Sequence, residues 1–166
     1  MRGNPVNRFD PYGLCDFPAV MYSSSVSVKF FSAELGNIHV YDPRSGNIFN
    51  FTYEALGVGL GMGGGGFIEV GAISGLDSPG ELEGFGIGVS GFLARGRAVS
   101  AQVYGPIGNS YGDYYGVGLG TGYGYGMGVA GLGTFTHLNS ITKLGNASQQ
   151  LQNLFKGKGC GCNSAK

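Results

Sequence analysis

The sequence predicts an all-β fold: a glycine-rich, strongly curved antiparallel sheet or barrel of long hairpins, followed by one short C-terminal α-helix. Glycine accounts for 35 of the 166 residues, roughly three times its ordinary usage, without the Gly-X-Y period of collagen. In several segments glycine alternates with large apolar residues, which is the period of two that a β-strand shows. Charged residues make up only 12% of the chain, about half the usual share for a soluble domain.

The first third of the chain carries runs that predict strands, after a linker-like segment at residues 15–21. The runs span 25–30, 38–41 and 48–53. In the last of them, Phe49, Phe51 and Tyr53 share one face. Residues 42–47 contain a proline and a glycine between two of these runs, so a turn is predicted there.

Three longer segments alternate glycine with large side chains, so one face of each strand carries bulk and the other carries only hydrogen. They span Gly57–Gly63, Gly84–Val89 and Gly116–Val129. Glycine inside a strand costs about 1 kcal/mol relative to alanine. Such a face is therefore expected where another backbone approaches closely or where a strand coils tightly. Turns or bends are expected at residues 63–66, 76–80 and 105–113.

The large side chains change from odd to even positions within two of these regions. Val129 is followed by Ala130 and Leu132, and Val89 is followed by Phe92. Since a slip of one residue moves every side chain to the opposite face, the sequence predicts β-bulges at these two places.

The C-terminal element has a different period. Asn146 can cap a helix, and Ala147, Leu151, Leu154 and Phe155 fall on one helical face. This amphipathic helix is expected to plug or flank the sheet. The predicted order is a leader at 1–14, a glycine-rich β domain at 15–145, the helix at 146–157 and a flexible tail at 158–166.

The leader carries a motif built on turn chemistry, because its two prolines fix φ and remove backbone donors. Residues 4–14 resemble the N-P-x-N-x-x-D-P-x-G-L junction that closes the RHS-repeat-associated core of RHS/YD-repeat polymorphic toxins. The matching positions are Asn4, Pro5, Asn7, Asp10, Pro11, Gly13 and Leu14.

This resemblance implies that residues 1–14 are the remnant of an RHS core. The rest of the chain would then be the variable C-terminal toxin or effector domain that such a core carries. The implied partners are the RHS shell of the parent protein and a cognate immunity protein. The implied localisation is secretion, or delivery into a target cell, as part of a larger RHS protein.

In that family the core cuts itself just after the junction leucine, with aspartyl-protease chemistry that needs two carboxylates. Asp10 would supply one of them. The next Asp-Pro pair, Asp42-Pro43, is followed by Arg-Ser-Gly, which displaces the glycine of the motif. We therefore expect no self-cleavage between Leu14 and Cys15 in this chain.

No arrangement of residues in the sequence indicates an enzyme. His39 and His137 have no Cys, Asp or Glu at ligand spacing and are expected to be ordinary strand residues. Cys15, Cys160 and Cys162 are too few for a zinc site, and the G-x-G-x-x-G matches arise trivially from alternating glycine. No catalytic residue, metal or cofactor is predicted, and an enzyme toxin of unrecognised type remains an alternative.

The charge distribution limits the partners. Ten basic and ten acidic residues give no net charge, which argues against a nucleic-acid binder that works by phosphate neutralisation. The N-terminus lacks the apolar core of a signal peptide, and no run of about twenty apolar residues predicts a membrane helix. Arg95 and Arg97, with Glu69, Glu81 and Glu83, would either line the interior of a barrel or lie on a solvated face.

The function expected from these patterns is that of a membrane-acting, pore-forming domain, with membrane lipid as a partner. Residues 114–136 carry no charge, and the third glycine segment is longer than the about 9–11 residues with which a β-strand crosses a bilayer. The alternative is a soluble glycine-rich β-barrel or sandwich, a binding or structural module whose large side chains form its core. The side chains expected to face the membrane are Val117, Leu119, Tyr123, Tyr125 and Met127.

Overall fold

Four long antiparallel strands form one sheet in the computed structural model, which describes residues 15–76, 78–106 and 114–143. The elements are β1 (Cys15–Asp42), β2 (Asn47–Leu76), a 3-10 helix (Pro79–Leu82), β3 (Gly84–Pro106) and β4 (Tyr115–Lys143). The order across the sheet is β1-β2-β4-β3, so β1 and β3 are its edges. The prediction of an all-β, strongly curved antiparallel sheet is confirmed, and the sheet is open rather than closed into a barrel.

Several predicted features fall outside the residues that the structure describes, namely the RHS-like junction, the helix at 146–157 and the tail at 158–166. The turn predicted after β1 is present at residues 43–46. The linker predicted at residues 15–21 is wrong, because this stretch is the beginning of β1. Phe17, Ala19 and Met21 alternate into the core there, and this apolar period of two makes the stretch a strand.

A residue with positive φ near the middle of each strand bends the sheet. These residues are Lys29 (φ 55°), Gly63 (132°), Gly96 (82°) and Gly126 (92°). Gly63 and Gly126 are paired directly, while Lys29 pairs with Gly61 and Gly96 pairs with Gly124. We call this line the bend. A left-handed backbone conformation is open to glycine at little steric cost, so three of the four positions suit the conformation they adopt.

The bend folds the sheet double, so that the two halves of a strand face each other. The guanidinium carbon of Arg44, just after β1, lies 5.1 Å from the ring centroid of Phe17, near the start of the same strand. The rings of Tyr22 and His39 meet edge to face at 5.6 Å. The surface between the two layers is called the inner face, and the opposite surface is called the outer face.

The main hydrophobic core lies on the inner face, away from the bend, and a smaller cluster of Phe67, Ala94 and Ala98 lies beside the bend. The largest fully buried side chains of the main core include Phe17, Met21, Val40, Phe51 and Ile73. All of them belong to one cluster that draws on both layers. The sheet is therefore stabilised as a two-layer packing made by one folded sheet.

The bulge predicted after Val129 is wrong, because β4 keeps continuous register with both neighbours there. Ala130 and Leu132 point to the inner face in line with the preceding glycines, while Gly131 and Gly133 point outward. The large side chains change from odd to even positions because the inner face contains side chains from this point on. The register of the strand does not change. The change after Val89 has the same explanation, since β3 also stays in register with β4 at that point.

Candidate functional site: two faces of opposite character

The outer face of both layers is covered by large apolar side chains that are exposed to solvent. The membrane-facing candidates from the sequence all lie on this face, and between 44% and 76% of each side chain is exposed. The same holds in the other strands for Val26, Val28 and Leu35, for Leu56, Val58, Leu60, Met62, Ile68 and Val70, and for Phe85, Ile87, Val89, Leu93, Val99 and Val103. Monomeric soluble proteins rarely expose so continuous an apolar surface.

In the glycine segments, the inner face carries glycine because the strands leave no space there for a side chain. A Cβ placed on Gly59 would lie 2.6 Å from the Cβ of Ala130, and one on Gly61 would lie 2.5 Å from the Cα of Gly128. Real Cβ atoms do not approach other heavy atoms this closely, so an alanine at either position would force the strands apart. The close approach of strands expected from the alternating glycines is therefore confirmed, and it excludes the large side chains from the inside.

The placement of bulk overturns one part of the soluble-module interpretation, in which the large side chains of the glycine segments form the core. Leu60 and Leu119, in the middle of two such segments, are 70% and 69% exposed. The strand signal at residues 25–30 behaves in the same way, because Val26 and Val28 are exposed while Ser27 is buried. In these segments alternation identified the two faces correctly, but the face that carries the smaller residues is the buried one.

Glycines of β4 also make room for a polar cluster on the inner face. Glu69 of β2, 3% exposed, accepts hydrogen bonds from the hydroxyl of Ser100 and the amide of Gln102 on β3. A Cβ on Gly118 would lie 2.5 Å from the terminal methyl carbon of Met21 and 3.3 Å from the Glu69 carboxylate. Side chains from β1, β2 and β3 thus converge above Gly118 of β4, which has no side chain of its own.

A second carboxylate, Glu34 of β1, is buried close to the first. It is 5% exposed and accepts a hydrogen bond from the Tyr53 hydroxyl. Ser90 of β3 also makes a side-chain hydrogen bond with it, and the two glutamates are near enough to repel each other. Burial raises the pKa of both carboxyl groups, and the proximity of Glu69 raises that of Glu34 further, while hydrogen bonds from neutral donors partly oppose the shift.

The five charged residues that the sequence placed either inside a barrel or on a solvated face are divided between these locations. Glu69 is buried on the inner face, while Glu81, Glu83, Arg95 and Arg97 are exposed. Glu34 was missed in the sequence. The face of β1 that points inward changes at the register shift between Lys29 and Phe31, and this shift carries Glu34 inside with Ser32.

The two histidines lie in strands and make ordinary polar contacts. His39 Nδ1 donates to Asn50 Oδ1 at 2.6 Å. His137 Nδ1 lies 2.9 Å from Glu83 Oε1, and both side chains are largely exposed. Within the described residues, no group of three or more His, Cys, Asp or Glu side chains could hold a metal ion.

In the comparisons with known proteins, the chain matches no family model, no curated protein and no solved structure. The inference of function therefore depends on the contrast between the two faces and on the motif at residues 4–14.

Proposed function

We propose that this domain inserts into membranes and forms pores, as the toxin or effector cargo of an RHS-repeat protein. The exposed apolar outer face carries this proposal. A soluble sheet places its large apolar side chains inside, whereas a membrane sheet presents them to lipid and keeps small and polar side chains on the other face. The glycine segments follow the second pattern, with bulk outside and glycine inside, and two buried glutamates lie on the inner face. Away from the bend the inner face also holds the apolar core around Phe17 and Phe51.

The strands have the length that the proposal needs. Even β3, the shortest at 23 residues, is divided near its middle by the bend. Each of its halves is therefore comparable to the about 9–11 residues with which a β-strand crosses a bilayer. Along β2 the outward side chains from Leu56 to Met62 cover roughly 20 Å, at about 3.3 Å per residue, close to the about 25 Å apolar band of membrane strands.

A pore requires more than one copy, since about eight strands are needed to enclose even a filled interior. The strand order makes such assembly geometrically simple. The edge strands β1 and β3 run antiparallel to each other, so β3 of one copy pairs with β1 of the next in the same antiparallel sense. Contacts of this head-to-tail kind close into a ring when the rotation between successive copies adds up to a full turn.

The resemblance of residues 4–14 to the RHS junction supports the delivery part of the proposal. A chain whose outer face is apolar is prone to aggregate in water. Enclosure in a shell until release would keep this surface away from other proteins. On this proposal, an immunity partner would protect the producing cell by covering the same outer face.

Dye release from phospholipid vesicles tests the proposal. The wild-type domain should release the dye, and Leu119→Lys should lower the rate at least tenfold. A charge in the apolar band costs about 2–4 kcal/mol at the bilayer midplane. Leu119→Met is the matched control, because it changes the same side chain and keeps it apolar. Circular dichroism should show the same β-sheet signal for all three proteins.

Two results would sink the proposal. One is a soluble, folded domain that leaves vesicles intact, especially if it self-associates through the outer face, since the apolar surface would then serve contacts between copies. The other is release by Leu119→Lys at the wild-type rate. Loss of a toxic effect on substituting one polar residue, such as His39, without unfolding would favour the enzyme-toxin alternative.

A further inference from the structure

The bend carries a second feature that the apolar band does not explain: three cations and the most exposed aromatic side chains of the sheet. We define the bend patch as Lys29, Phe31, Arg95, Arg97, Tyr123 and Tyr125. Its three aromatic side chains are 74–76% exposed, and its three cations are exposed as well. Since the whole patch lies along the line where the sheet folds, it forms one end of the molecule.

The arginines and tyrosines of the patch are organised by strand register. Arg95 pairs with Tyr125, and Arg97 pairs with Tyr123, across β3 and β4. On the other side of β4, the same tyrosines face only Gly64 and Gly66 of β2. Cross-strand neighbours on one face lie within side-chain contact distance, so two Arg-Tyr pairs stand side by side beside a strip without side chains.

Among the residues that the structure describes, no acidic side chain lies on the strand segments that form this end of the sheet. None occurs in residues 19–33, 57–68, 84–106 or 114–143. The exposed acids Glu81 and Glu83 lie at the opposite end, beside the connection between β2 and β3. Positive charge is therefore concentrated at the bend and acidic side chains lie toward the opposite end of the sheet, although the chain has no net charge.

We propose that the bend patch binds the headgroups of anionic phospholipids and orients the domain on the membrane. Tyrosine and basic side chains are the residue types that occupy the interface between bilayer and water. Anionic lipid attracts cations near its surface. The patch combines both kinds of side chain in one exposed strip, without an acid to oppose the attraction. This inference depends on the proposed membrane function and names the lipid class that it requires.

Vesicle flotation tests this inference, with vesicles of phosphatidylcholine alone and with phosphatidylserine added. Each cation near an anionic surface strengthens binding about fivefold, so Arg95→Gln/Arg97→Gln should weaken binding to the anionic vesicles about 25-fold. Added salt should weaken wild-type binding, because it screens exposed charges. Lys143→Gln is the control, since it removes one cation at the far end of β4 and should leave binding unchanged.

Equal wild-type binding to both kinds of vesicle would overturn the inference, as would an equal loss of binding in Lys143→Gln. Dye release measured in the same samples separates this outcome from failure of the pore proposal. Release from neutral vesicles at the anionic rate contradicts the lipid preference and leaves pore formation standing. Binding that depends on Arg95 and Arg97 without release supports the lipid preference and contradicts pore formation.

Discussion

Gly63 of β2 and Gly126 of β4 are direct cross-strand partners, and both have positive φ, 132° and 92°. Lys29 and Gly96 continue this line into the two edge strands. An antiparallel sheet with such a residue near the middle of every strand changes direction along the whole line. The fold therefore depends on a hinge that crosses all four strands and brings the two halves of the inner face together.

Gly96→Ala tests the hinge at a position where only the backbone matters. Gly96 has a φ of 82°, and nothing lies within 4 Å of a Cβ added there. The substitution should lower the free energy of unfolding by about 1–2 kcal/mol, because a residue with a Cβ is strained in this conformation. Urea denaturation followed by circular dichroism measures the change.

Gly133→Ala is the control for that experiment. Gly133 points outward, has no positive φ, and a Cβ there would meet only the Leu56 carbonyl oxygen at 3.7 Å. Alanine should leave the stability unchanged or raise it by about 0.5–1 kcal/mol, since it restricts the unfolded chain. If both variants lowered the free energy of unfolding equally, the loss in Gly96→Ala could not be attributed to the backbone conformation at the bend.

Lys29 occupies the fourth hinge position, and its φ of 55° is strained for a residue that has a Cβ. The other three strands have glycine at the hinge. Lys29→Gly and Lys29→Ala remove the same side-chain contacts, but only glycine relieves the strain. We expect the glycine variant to be more stable than the alanine variant by about 1 kcal/mol. Urea denaturation of the pair measures this difference, and a more stable alanine variant would contradict it.

The sequence was sufficient to predict the β-structure, the first turn and the two faces of the glycine segments, but not the beginning of β1, where it predicts a linker. The period of two in the glycine segments carries that information directly. It could not identify the buried face, because the ordinary rule puts bulk inside, whereas Leu60 and Leu119 are outside. The exclusion of bulk from the inner face follows from the close approach of β2 to β4, a distance that no local pattern contains.

The polar part of the candidate site was harder to predict for a different reason. Glu34 and Glu69 lie far apart in the sequence, and each meets its hydrogen-bond partners only through the pairing of strands within one layer. The bend then brings the two glutamates near each other. The register shift near Lys29 decides that Glu34 points inward. A single residue of offset in β1 would have placed it on the outer face.

The inner-face glutamates set an expectation for ion selectivity, on the proposal that this face lines the pore. Rings of ionised acidic side chains favour cations. Because burial raises the pKa of Glu34 and Glu69, the wild-type pore should become selective for K⁺ over Cl⁻ as the pH rises above these raised pKa values. Reversal potentials across a planar bilayer in a KCl gradient measure this preference. Glu34→Gln/Glu69→Gln should move the reversal potential toward zero, whereas Glu54→Gln, on the exposed side of β2, should not.

An anion-selective wild-type pore would contradict this assignment of the lumen. An equal shift of the reversal potential in Glu54→Gln would do the same, because the effect would then report charge on the chain in general.

The contact between outer face and lipid is measured most directly with a fluorophore on a single cysteine. Cys15, Cys160 and Cys162 are replaced by serine, and the label is attached through Leu119→Cys on the outer face or Thr134→Cys on the inner face. Phosphatidylserine-containing vesicles with a lipid-borne nitroxide should quench the label at position 119 and leave the label at 134 largely unquenched. Equal quenching at both positions, or no quenching at 119, would contradict a lipid-facing outer surface.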